Sequence, residues 1–148
     1  MSDLYCTLDD IKKKIPEATI IRLTDELNAG VIDQAKVDDA IAEAANEIDF
    51  HVGQIVQLPI AEAQRPPILR TLCADMTIYH LYAITREEIP ETRKDRYKAA
   101  IRMLEKMVER GSIALGLETQ PDPPADAGSG IEIEASTPLF SDDILERY

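Results

Sequence analysis

Glu47 and His51 stand four residues apart, Cys73 and His80 seven apart, and Gly111 and Gly116 five apart; each spacing is that of a known chemistry. A carboxylate and an imidazole at i, i+4 share one helix face and can begin a metal site. A site inside a helical bundle needs a second such pair, and Met76 and Thr77 precede His80 where its carboxylate would stand. Cys73 and His80 pair a nucleophile with a base, but seven residues of helix put them about 10 Å apart, beyond hydrogen-bond reach. Both histidines and both cysteines therefore read as structural. The Gly111–Gly116 run has phosphate-loop spacing, yet Leu117 and Glu118 follow where Lys and Ser or Thr would hold phosphate and magnesium. Asp9-Asp10, Asp38-Asp39, Glu87-Glu88 and Asp142-Asp143 are adjacent and diverge on a helix, so they read as solvated charge. No catalytic residue, no metal ligand and no cofactor is expected.

One charge pattern is more informative. Lys94, Lys98, Arg102, Lys106 and Arg110 recur every four residues, and like-charged helix neighbours cost about 0.2 to 0.5 kcal/mol per pair. The compensation has two readings. Asp95, Glu105 and Glu109 can meet Lys98, Arg102 and Lys106 at i, i+3 within the same helix. Alternatively, the stripe Asp39, Glu43 and Glu47 on an earlier helix meets Lys98, Arg102 and Lys106 of a neighbouring copy. The second reading predicts head-to-tail association, which closes into a ring or runs on as a filament.

The elements that carry these residues follow from punctuation and period. Thr7 and Asp10 resemble a capping box opening a short helix to Ile15, where Pro16 stops it. A second short helix runs from Pro16 to about Leu23, and Asn28-Ala29-Gly30 is a turn. Asp33 caps a helix to about Val52, ended by Gly53, with Val37, Ile41, Ala44, Ala45, Ile48 and Val52 on its buried face. After the loop bounded by Leu58-Pro59 and Arg65-Pro66-Pro67, a helix to about Thr85 places Ile68, Leu72, Met76, Tyr79 and Ala83 on one side. The last long helix runs from about Glu91 to Arg110, with Tyr97, Ile101, Leu104 and Val108 inward and Gly111 as C-cap. The fold class expected is all-α, a small antiparallel bundle of three main helices with one or two short ones.

Composition agrees with that class. The 148 residues are 45% apolar but include only two Phe, five Tyr and no Trp, which leans away from a sheet sandwich. A net charge of -12 disfavours sequence-independent nucleic-acid binding and anionic membranes. Two cysteines without CxxC spacing make no disulfide framework, and no stretch reads as a leader or an anchor, so the expectation is a chain neither exported nor membrane-bound.

The charge also divides the chain. Residues 1–118 hold 21 acidic and 15 basic side chains; residues 119–148 hold seven and one. Thr119 to Gly130 concentrates Pro and Gly, so the expectation is a helical body over 1–118 and a linker with a C-terminal tail over 119–148. In the tail, Ile131 to Ser136 alternates like a strand with no partner in a helical body, and Phe140, Ile144, Leu145 and Tyr148 have near-helical spacing. Ile131, Ile133, Phe140, Leu145 and Tyr148 are the expected partner-binding residues there; a solvated acidic tail is the other reading.

Several strings converge on a known family. Tyr5-Cys6-Thr7-Leu8-Asp9-Asp10-Ile11, Leu23-Thr24-Asp25, Ala40-Ile41 to Ile48-Asp49-Phe50, Leu58-Pro59-Ile60, Cys73 to Tyr82, and Arg96-Tyr97-Lys98-Ala99-Ala100 through Leu115-Gly116 resemble the Mu-like phage and prophage proteins of the neck region. These are similar to the helical head-tail connector, or adaptor, proteins of tailed phages. Where such proteins commonly carry an Arg-Tyr pair before the Leu-Pro, this chain has Ile55-Val56. The resemblance implies a non-enzymatic virion component, made in the host cytoplasm and placed in the neck. It implies monomers that form a homo-oligomeric ring on the portal protein, with a C-terminal segment that orders on attachment and a stopper or tail-completion protein bound beneath. DNA would pass through such a ring without specific binding. A helical binding or regulatory module without ring assembly is the alternative.

Overall fold

Proline and glycine set most of the boundaries in the computed structural model, which describes residues 4–116. Helix α1 spans Leu8–Lys12, and the Asp10 carboxylate reaches back to accept the Thr7 N–H at 2.9 Å. It is shorter than the spacing implied, ending before Ile15. Pro16 then opens α2, Glu17–Thr24, with its fixed φ already suited to a first turn. Asp33 caps α3, Gln34–Val52, by accepting the Ala35 and Lys36 N–H groups at 3.1 and 3.4 Å. Helix α4, Pro67–Thr85, begins on a proline, and α5, Glu91–Arg110, follows one. Gly111, at φ 77°, ends α5 in the left-handed region where a side chain would be strained. Two 3-10 turns, Glu62–Gln64 and Ser112–Leu115, complete the path. The described residues form no strand, and the all-α bundle expected from the sequence is the fold observed.

The core also confirms the face assigned to α3: Val37, Ile41, Ala44, Ala45, Ile48 and Val52 are all buried. Helix α4 departs from its expected pattern. Ile68 and Ala83 are exposed and Tyr79 is half-buried, while Leu69, Leu72, Cys73, Met76, Ile78, His80 and Leu81 are buried. The reason is position. Helix α4 packs against α1, α2, α3 and α5, so its buried surface wraps most of the cylinder and no single stripe describes it. On α5, Leu104 is buried as expected, Tyr97, Ile101 and Val108 are half-buried, and Ala100 and Met107 join the core.

Ile55 and Val56 also pack against this core as partly buried apolar surface. The N-terminal strap runs into it as well. Tyr5 and Cys6 are buried, the Tyr5 hydroxyl donates to Asp49, and Arg65 donates to the Leu4 carbonyl at 3.0 Å. Lys14, in the turn after α1, donates to Asp75 of α4 at 2.9 Å, and Arg96 of α5 stands 3.7 Å from the same carboxylate, tying that turn to α4 and α5.

Candidate protein-interaction surface

Helices α3, α4 and α5 meet in a polar cluster built on Glu47. Its Oε2 accepts the Tyr97 hydroxyl at 2.8 Å, and its Oε1 lies 2.5 Å from His80 Nε2, off the line that a hydrogen bond needs. Glu43, one turn earlier, stands 3.9 Å from His80 Nδ1. The Tyr97 ring stacks on Tyr79, with centroids 4.1 Å apart and planes 13° from parallel, and meets His80 edge-on. An imidazole this deeply buried costs free energy unless polar groups face it, and the two α3 carboxylates are those groups. Burial, and then the carboxylate it donates to, hold the Tyr97 phenol above its ordinary value of 10.0.

The i, i+4 pair weighed from the sequence does not meet through its side chains. His51 Nδ1 bonds the Glu47 backbone carbonyl at 2.8 Å, while the Glu47 carboxylate turns to the neighbouring helices. Cys73 meets Cys6 on the N-terminal strap, while His80 meets Glu43 and Glu47 of α3. Sequence reasoning missed the three-helix cluster because it sought the partners of each histidine within that histidine's own helix. The signal was there: a histidine in the otherwise apolar stretch Ile78 to Ile84 needs a polar partner from another element.

The acidic stripe is thereby split. Glu47 is engaged inside its own chain, Glu43 keeps 60% of its side chain exposed, and Asp39 is exposed. On α5, Lys94 pairs with Glu91 at 3.0 Å and Arg96 with Asp75. Lys98, Arg102 and Lys106 are exposed, and among the described residues none of them makes an ion pair. The i, i+3 contacts with Asp95, Glu105 and Glu109 are thus not formed. The described face of α5 offers separate cations to solvent, and α3 offers separate carboxylates. Ile131, Ile133, Phe140, Leu145 and Tyr148, with the linker and tail boundary at 119, lie outside the described residues.

Other hollows carry less. A cleft of about 350 Å³ between the strap and the start of α4 is rimmed by Asp9, Asp10, Lys13, Glu62, Arg65 and Arg70, with both signs of charge interleaved. Among the described residues no three His, Cys, Asp or Glu side chains converge as metal ligands, and no helix is long and apolar enough to cross a membrane.

Comparison with known proteins adds family membership. A family model described as Bacteriophage Mu, Gp36 matches residues 5–133. The Mu-like prophage FluMu protein gp36 of Haemophilus influenzae is similar to this chain, 26% identical over 133 residues that cover 90% of this chain and 89% of that protein.

Proposed function

Since the chain belongs to the Bacteriophage Mu Gp36 family, we propose that it is a structural virion-assembly protein, a head-tail connector that forms a ring below the portal and extends the DNA channel. The observation that carries this reading is the charged surface left open on both flanking helices. Lys98, Arg102 and Lys106 on α5 and Asp39 and Glu43 on α3 are exposed, and the two sets do not pair with each other within the chain. Charges of opposite sign on separate helices suit a heterologous contact in which α5 of one copy meets α3 of the next. Glu47 would contribute at the edge of that seam while keeping its internal partners.

On this reading the protein performs no chemistry and needs no cofactor. Its partners are the portal protein, further copies of itself, and a stopper or tail-completion protein, with Ile131, Ile133, Phe140, Leu145 and Tyr148 of the C-terminal tail engaging a partner. It resides in the virion neck, and an acidic lumen would keep passing DNA from adhering.

Size-exclusion chromatography with mass analysis, alone and with the portal protein, tests the reading. A monomer that becomes a closed multi-copy ring only with portal supports it. A one-to-one complex with portal, or none, would replace it with a binding module that forms no symmetric assembly. A chain ending at Glu118 should keep its helical circular dichroism yet lose portal co-purification; full retention of binding would remove the tail from the proposal.

A further inference from the structure

Two thiols from distant parts of the chain face each other in the core. Cys6 lies on the strap outside any helix, Cys73 lies in the middle of α4, and their sulfurs are 3.1 Å apart. Both are free and buried. The strap carrying Cys6 belongs to no helix and is held by the burial of Tyr5 and Cys6, the Tyr5–Asp49 hydrogen bond and the Arg65 bond to the Leu4 carbonyl, so exposing Cys6 requires breaking these contacts but not unwinding a helix. We propose that Cys6 and Cys73 are a modification site, a thiol pair that a small-molecule disulfide such as glutathione disulfide converts to an intramolecular disulfide, fastening the strap to α4.

The chemistry balances in two exchanges. The Cys6 thiolate attacks glutathione disulfide, forming a mixed disulfide and releasing one glutathione thiolate. The Cys73 thiolate then attacks the Cys6 sulfur, forming the internal bond and releasing the second glutathione. Two protons leave the protein, and two electrons reduce the oxidant. The order follows from the pair itself. In the neutral pair Cys6 donates to Cys73; once the Cys6 proton leaves, the Cys73 S–H can turn toward the thiolate. That hydrogen bond lowers the Cys6 value against the opposing effect of burial, and the same contact raises that of Cys73.

The test incubates the full chain with glutathione disulfide and follows intact mass, an unreduced peptide map and thermal unfolding. The expected result is a loss of two hydrogens and a peptide containing Cys6 linked to one containing Cys73. The unfolding midpoint should rise by on the order of 10 °C and fall back on adding reductant. Cys73→Ser should instead keep one glutathione on Cys6 and show no such rise. Stable glutathione adducts on the unmutated chain, cross-links between copies, or two thiols that stay free would each overturn the proposal.

Discussion

Glu47 of α3 accepts a 2.8 Å hydrogen bond from the Tyr97 hydroxyl of α5, and this bond links two helices separated in sequence by the whole of α4. The same carboxylate faces His80 of α4, so one side chain addresses both other long helices of the bundle.

Tyr97→Phe keeps the ring stacked on Tyr79 and removes only the hydroxyl. Urea unfolding should show a loss of about 1 kcal/mol, with an unchanged dependence on denaturant. Glu47→Gln, which keeps the shape but not the charge facing His80, should cost at least as much. Full stability in both variants would make the cluster incidental to the bundle.

Alkaline pH should act through two phenols, the buried Tyr5 and the half-buried Tyr97. Tyr5 and Tyr97 both have values raised above 10.0, Tyr5 by burial and then by the Asp49 carboxylate it donates to, Tyr97 by burial and then by Glu47. In the folded chain they keep their protons where the unfolded chain has begun to lose them. Their contribution is therefore complete below pH 10 and declines as pH rises beyond it. Stability measured from pH 8 to 11.5 should fall over the upper part of that range, and the Tyr5→Phe, Tyr97→Phe double variant should fall less steeply. Parallel curves would contradict the assignment.

Removing a cap gives a cleaner local test. Asp33→Ala takes away the acceptor for the Ala35 and Lys36 N–H groups and should lower stability by about 1 kcal/mol. Asp33→Asn should recover most of it, as read from the midpoint of chemical denaturation.

Charge reversal on α5 separates folding from assembly. Arg102 is exposed and makes no ion pair among the described residues, so Arg102→Glu should change monomer stability by less than about 0.5 kcal/mol. It should weaken portal-dependent rings, more at low salt than at high, and Asp39→Arg in the same chain should restore them in part. Rings indifferent to both changes would leave the two charged faces as ordinary solvated surface.

Much of the fold could be read from residue types alone, because the deciding interactions are local. Asp33 and Gly53 bracket α3, prolines precede or open α2, α4 and α5, and Gly111 supplies the left-handed turn after α5. The spacing of Val37, Ile41, Ala44, Ala45, Ile48 and Val52 marked one buried face because α3 buries only one.

What required the tertiary structure was every relation between elements. Helix α4 has no single inward stripe because four helices surround it, and only their placement decides which of its residues reach water. The partners of Glu47 lie 33 and 50 positions farther along the chain, and those of Cys6 lie 67 and 71 positions farther. No period within one helix encodes such distances. Propensity, capping and amphipathic spacing act over a few residues and are written in the chain itself, whereas pairing across helices depends on how the packed bundle brings separate faces together.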